Sequence, residues 1–213
     1  MARLRVGVLV SGKGRGTNLQ ALIDARERGE LGADLVLVVS TSAEAGALER
    51  ARKHSLEALF VDPKQFATAE ELDLALAQTM EQRQVGLICL AGYMRMLTAT
   101  LIRRFPNRIM NIHPALLPAF GGKGMYGHHV HEAVIASGAK YTGVTVHFAD
   151  EEYDHGPIAL QKVVEVLPDD DADSLAARVL REEHKLYARA VHLFAEGRLQ
   201  VEDRRVRILP SAP

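Results

Sequence analysis

Five short aliphatic runs separated by helix-length segments set the narrowest limit on what this chain can fold into. They read "RVGVLVS", "DLVLVVS", "ALFVD", "VGLICLAG" and "RIMNI". Runs of this kind suit strands covered on both faces. Between them the pattern turns helical. Thr17 to about Gly29 places Leu19, Leu22, Ile23 and Ala25 toward one face; "EAGALERARKH", "TAEELDLALAQTMEQR" and a short segment from about Thr98 to Arg104 follow. This alternation predicts a Rossmann-like α/β fold, with a parallel sheet in the first half and helices on both faces.

The second half departs from that rule. A short helix, "HVHEAVIAS", precedes "YTGVTVHFA" and "PIALQKVVEVL", which only the loop "DEEYDHG" separates. Without a crossover helix the two strands are antiparallel, so the sheet is mixed. A long helix starts near "DADS", where Asp and Ser are good N-caps, and runs to about Glu196, with Gly197 to end it. "LQVEDRRVRIL" reads as a terminal hairpin, and "PDDDADS" as a solvated loop. No repeat or linker breaks the chain, so a single domain over 1–213 is expected.

Composition narrows the class. With 5% aromatic residues and no Trp, the core has to be aliphatic. A net charge of -1 gives no basis for broad attraction to nucleic acid or an anionic membrane. The one cysteine, Cys89, lies within an apolar run, so it forms no intramolecular disulfide and reads as a small buried hydrophobe. The opening "MARLRVGVLVSGKGRG" fits a strand better than a signal peptide. No apolar stretch approaches the roughly 20 residues that span a bilayer. A cytoplasmic enzyme is expected.

Two stretches carry candidate chemistry. "SGKGRGTN" follows the first strand and opens the first helix. Its glycines let main-chain N–H groups converge on an anion at a helix N-terminus, and Thr17 and Asn18 add donors. It lacks the Lys of a P-loop, and Gly12, Gly14 and Gly16 give G-x-G-x-G rather than a dinucleotide fingerprint. A single phosphate fits better, against the alternative of a tight turn with no ligand. The second stretch is "MNIHPALLPAF". Asn111 and His113 are two apart at the carboxyl end of a strand, so both face one crevice, and Pro114 keeps His113 extended. An amide donor beside an imidazole suits a reaction in which an oxyanion develops while protons move. The alternative is a structural histidine and a loop-capping asparagine. Spacing does not choose among Asp150, Glu151, Glu152 and Asp154 as a carboxylate partner. "GHHVHE" lacks H-E-x-x-H, and no metal is expected there. With no G-x-S-x-G elbow and Cys89 in mid-strand, a covalent acyl-enzyme is not expected.

Taken with "LAGYMRML" at 90–97, "GVTVHF" at 143–148, "DHGPIALQ" at 154–161 and "EEHKLYARAV" at 182–191, these stretches resemble the phosphoribosylglycinamide formyltransferase family nearly end to end. The resemblance implies transfer of a formyl group from 10-formyltetrahydrofolate to the amine of glycinamide ribonucleotide. It implies small-molecule substrates, no metal, no nucleic acid or membrane partner, and a monomer or homodimer. Residues 1–100 would be the phosphate-binding half, and 101–213 the folate and catalytic half. The family's catalytic residues fall on Asn111, His113 and Asp154, with Asp154 raising the pKa of His113 and placing a water. Its phosphate site falls on Gly16, Thr17 and Asn18. Its folate contacts fall on Met94, Arg95, Met96, Leu97 and Asn111, and its ribose contact on Glu183.

Glu183 also stands out by position. It interrupts a stripe of Ala176, Leu180, Tyr187, Val191 and Phe194 at helical spacing, where a ligand or a structural hydrogen bond would have to satisfy it. Two departures from the family pattern are visible. The turn is lengthened by Lys13 to Arg15. Ala69 stands near the place of a folate-holding arginine, so either Lys64 takes over that contact or it is missing. Two other users of formyl folate, the hydrolase and the methionyl-tRNA formyltransferase, carry extra domains not read here. A non-enzymatic nucleotide-binding module does not explain Asn111, His113 and Asp154 together.

Overall fold

A computed structural model describes residues 3–12 and 14–211. The first strand, β1 (Leu4–Val10), leads through the glycine-rich turn into α1 (Thr17–Glu27). Then come β2 (Ala33–Ser40), α2 (Gly46–Lys53), β3 (Glu57–Phe60), a 3-10 turn (Pro63–Gln65) and α3 (Ala69–Gln82). Next are β4 (Leu87–Leu90), α4 (Ala99–Arg104) and β5 (Ile109–His113). The remainder is α5 (His128–Ser137), β6 (Tyr141–Phe148), β7 (Ile158–Glu165), α6 (Ala172–Ala195), β8 (Leu199–Glu202) and β9 (Arg205–Ile208).

The main sheet has seven strands in the order β3-β2-β1-β4-β5-β6-β7. Pairing is parallel from β3 to β5, then antiparallel between β5 and β6 and between β6 and β7. The chain winds outward from β1 to β3, returns to β4, and continues the other way. That reversal opens a crevice at the carboxyl ends of β1 and β4, where such sheets bind ligands. The strand-helix alternation therefore appears as expected, and β8 and β9 form the terminal hairpin.

Helices cover both faces. Val6, Val8 and Val10 pack with α1, α2 and α6, whereas Leu9, Leu37 and Ile88 pack with Leu72, Leu76 and Met80 of α3. Burying each such side chain stabilises the fold by about 1.5–3 kcal/mol relative to exposure. A Cβ on Gly7 would meet the flexible end of Met80 of α3, which would have to shift. Thr68 caps α3 by accepting from Glu71 N at 3.2 Å, and Asp171 with Ser174 forms a capping box on α6. The Tyr187 hydroxyl lies 3.0 Å from the Leu90 carbonyl and 2.9 Å from the Met110 carbonyl, tying α6 to β4 and β5 beside the crevice.

The α6 stripe differs from the sequence reading in its first half. Leu175 and Val179 are the buried core residues, while Ala176 and Leu180 stand partly exposed in the wall of the crevice. One helix face serves both the sheet and the cleft here. The helical period does not separate two apolar surfaces that adjoin.

Candidate active site

A cleft of about 970 Å³ opens at the switch point, lined from β1, β4 and β5 and from the loops and helices that follow them. That is large enough for substantial ligands. Gly16, Thr17 and Asn18 form one end. Gly16 has φ 68° and sits at the N-cap of α1 without any side-chain cap, and no acid lies in the first turn. The first N–H groups of α1 thus remain available to an anion. The turn is braced from behind. Arg50 of α2 donates to the Arg15 carbonyl and, at 2.8 Å, to Gln20 Oε1. A Cβ on Gly16 would lie 2.9 Å from Ala47 Cα, so the position requires glycine twice over, by conformation and by contact. Arg15 lines the cleft, whereas Lys13 lies outside the described residues.

Met94, Arg95, Met96 and Leu97 form the wall after β4. Ser11 Oγ accepts from Met94 N, and Ser11 N donates to the Gly92 carbonyl at 3.2 Å, so the wall is fastened to the end of β1. Lys64 and Ala69 are exposed and neither lines the cleft; among its described lining residues the lysines and arginines are Arg15, Arg95 and Lys123.

The polar centre is built from β5, β6 and the loop after β6. Asn111 and His113 sit on β5, with His113 buried and Asn111 partly so. Asp154 Oδ2 accepts from Gly122 N at 3.0 Å and lies 3.5 Å from His113 Nδ1. Asp154 Oδ1 lies 3.4 Å from Asn111 Nδ2. The three residues that the family resemblance joined therefore do converge. A fourth joins them unforeseen: His147 of β6, whose Nε2 is 3.1 Å from Asn111 Nδ2 and 3.6 Å from Asp154 Oδ1. It stands directly across from Asn111 in the antiparallel register. His147 Nδ1 lies 3.0 Å from the Phe148 carbonyl. This assigns a proton to Nδ1, while Nε2 faces both the Asn111 amide and the Asp154 carboxylate.

Backbone geometry at this centre is unusual. Asp154 has φ 53° and Phe120 φ 54°, both in the left-handed region that L side chains seldom occupy. Phe120 turns its carbonyl to His113 Nε2 at 2.8 Å. Both ring nitrogens of His113 are thus addressed by protein groups.

Electrostatics depart from expectation at His113. Burial lowers its pKa, and the opposing Asp154 charge and the Phe120 carbonyl do not make up the difference. Asp154 thus acts in the expected direction without setting the sign. For Asp154 itself burial pushes the carboxyl up, yet His147, the His113 charge and the Gly122 N–H together hold it below its ordinary value. Asp150 is half-buried, lines the cleft and lies 2.8 Å from His155 Nδ1, away from His113.

Glu183 reaches the end of the cleft formed by Gly16, Thr17 and Asn18. Its carboxyl is buried and raised to about 7, with a hydrogen bond to Asn18 opposing that rise. A raised value means the folded chain keeps a proton that the unfolded chain has released, from the ordinary 4.5 up to about 7. This contribution to stability is complete below that window and is lost as pH rises through it. Glu183→Gln is therefore expected to gain in Tm on wild type, by several degrees, as pH is raised from about 5 to about 8. Melting curves at both pH values test this; a gap that does not change with pH would refute it.

Among the described residues no group of three or more His, Cys, Asp or Glu is arranged to hold a metal ion, and no helix is long and apolar enough to cross a membrane. Residues 4–191 match the Formyl transferase family. The chain is 42% identical over 202 residues to a chloroplastic phosphoribosylglycinamide formyltransferase of Vigna unguiculata, a match covering 92% of this chain but 62% of that protein. It is 38% identical over 199 residues to the phosphoribosylglycinamide formyltransferase of Haemophilus influenzae, covering 93% of this chain and 91% of that one. The crystal structure of glycinamide ribonucleotide transformylase 1 from Symbiobacterium toebii superposes with a TM-score of 0.92 at 45% identity, covering 98% and 95% of the two chains.

Proposed function

This chain belongs to the formyl transferase family, and on that premise we propose that it transfers a formyl group from 10-formyltetrahydrofolate to the amine of glycinamide ribonucleotide, a step of purine biosynthesis. The observation that carries this reading is the convergence of Asn111, His113 and Asp154 in one cleft with the uncapped N-terminus of α1. A formyl donor and a phosphorylated acceptor each need one of those two features.

In this proposal Gly16, Thr17 and Asn18 bind the substrate phosphate and Glu183 its ribose. Met94, Arg95, Met96 and Leu97 bind the folate, with Asn111 between the two ligands. The substrate amine attacks the formyl carbon, forming the new C–N bond and an oxyanion. Asn111 donates to that oxygen, with the His113 imidazole on the same strand face beside it. The Asn111 amide lies 3.4 Å from Asp154 Oδ1 and 3.1 Å from His147 Nε2; in this scheme the formyl oxygen takes the place of the longer contact. Asp154 orients His113 and a water that carries the amine proton toward the folate nitrogen. The C–N bond to the folate then breaks. Because the amine attacks directly, no protein nucleophile and no metal enters the scheme. The chain works as one unit over 1–213, with a phosphate-binding half at 1–100 and a folate and catalytic half at 101–213. It acts in the cytoplasm as a monomer or homodimer, on small molecules rather than nucleic acid or membrane.

The test is to incubate the protein with 10-formyltetrahydrofolate, with and without glycinamide ribonucleotide, and follow the folate product. Release is expected only when the ribonucleotide is present. Equal release without it would mean that water is the acceptor and the protein is a hydrolase.

A further inference from the structure

The loop that carries Asp154 is fastened on its outer side as well as its inner side. It runs from β6 to β7 and holds Asp154 at φ 53°, a conformation that persists only where the surroundings determine it. Inside the cleft, Gly122 N secures the carboxylate. Outside, the β8–β9 hairpin reaches the same loop. Arg204 Nη2 donates to the His155 main-chain carbonyl at 2.8 Å, and Arg204 Nη1 lies 2.7 Å from His155 Nε2. His155 Nδ1 in turn sits 2.8 Å from Asp150 Oδ2, near the start of the loop. The hairpin is anchored to the body, with Leu199, Val201 and Val206 packed against the core, and it is closed at its base. Leu209 N donates to the Arg198 carbonyl at 2.8 Å, and Arg198 Nε donates back to the Leu209 carbonyl at 2.7 Å. The family match ends at residue 191, so this support lies beyond it.

We propose that Arg204 is a positioning residue for the reaction: through the His155 carbonyl, one residue past Asp154, it holds the carboxylate on His113 and Asn111. Arg204 does not line the cleft and touches no reacting atom. The inference rests on the reading of Asp154 as the catalytic carboxylate. Its physical basis is that a donor fixed to the next carbonyl restricts rotation about the backbone of residue 155. Loss of that donor lets the loop settle away from a strained turn. A shift of about 1 Å in a catalytic group is enough to cost up to roughly a hundredfold in rate. An exposed hydrogen bond, by contrast, adds little to global stability.

Three variants separate this from a structural role. Arg204→Ala is expected to lower kcat about tenfold, with KM for the ribonucleotide and Tm close to wild type. Arg204→Lys keeps one donor for the carbonyl and should recover most of that loss. Arg207→Ala removes a charge that pairs with Glu202 inside the hairpin, and should leave kcat unchanged. Unchanged kcat in Arg204→Ala, no recovery in Arg204→Lys, an equal loss in Arg207→Ala, or a large fall in Tm would each overturn the proposal. Asp154→Asn measured alongside keeps the two readings apart. If that variant is active, the role of Asp154 is wrong. If it is inactive while Arg204→Ala is normal, only the positioning role fails.

Discussion

Asp154→Asn is expected to lower kcat by about 10³-fold or more while the protein keeps its fold. Both carboxylate oxygens are engaged: Oδ2 with Gly122 N and the His113 ring, Oδ1 with Asn111. An amide keeps the shape but puts an NH₂ group where one oxygen accepted, so a donor then opposes a donor. It also removes the charge that works against burial at His113, which lowers the imidazole pKa further. The imidazolium form that would balance a developing oxyanion becomes harder to reach. The test is clean because asparagine tolerates the left-handed region that residue 154 occupies at φ 53°, so the loop has no conformational reason to change. Single-turnover formyl transfer and a melting curve would be measured together. Turnover within about tenfold of wild type at unchanged Tm would remove Asp154 from the mechanism.

The wild-type pH profile carries a related expectation. The Asp154 carboxyl is held below its ordinary 3.8, so it stays ionised across the neutral range. Protonation of Asp154 should therefore contribute no loss of activity above about pH 5.

What could be read in the sequence divides along physical lines. The sheet, its parallel first half and its antiparallel end were legible because each strand and helix is a local pattern with its own period. Connection length alone separates a crossover from a hairpin-like return. Asn111 and His113 were legible as a pair because residues two apart on a strand share a face. Asp154 was not. Loop residues have no period, and only the fold and its left-handed turn set Asp154 apart from Asp150, Glu151 and Glu152. His147 was missed for a different reason. It faces Asn111 across strands, and a cross-strand register is a tertiary fact even where antiparallel pairing is expected. Its one signal was a polar residue near the end of "GVTVHF", a run otherwise bound for the core. Asp154 raises the His113 pKa as expected, but the net downward shift was not legible, because burial is a property of the packed state and outweighs the carboxylate beside it. The α6 stripe was misplaced by one position at Ala176 and Leu180, where the helix turns the same flank to sheet and cleft.

Asn111→Ala is expected to lower turnover about 10²–10³-fold, the usual cost of losing one donor to an oxyanion. KM for the ribonucleotide should change much less, because in the proposed reading its phosphate is held by Gly16, Thr17 and Asn18, on a separate element at the start of α1. The loss has two parts. The donor to the formyl oxygen disappears, and with it the amide that links His147 Nε2 at 3.1 Å to Asp154 Oδ1 at 3.4 Å. Without the amide, His147 Nε2 and Asp154 Oδ1 stand 3.6 Å apart with no protein group linking them. A second variant separates the two parts. His147→Ala leaves the Asn111 donor in place but frees its amide, so it should lose less than Asn111→Ala by about tenfold or more if oxyanion donation dominates. Equal losses in the two variants would mean that Asn111 acts by ordering His147 and Asp154, and that the oxyanion is stabilised elsewhere in the cleft.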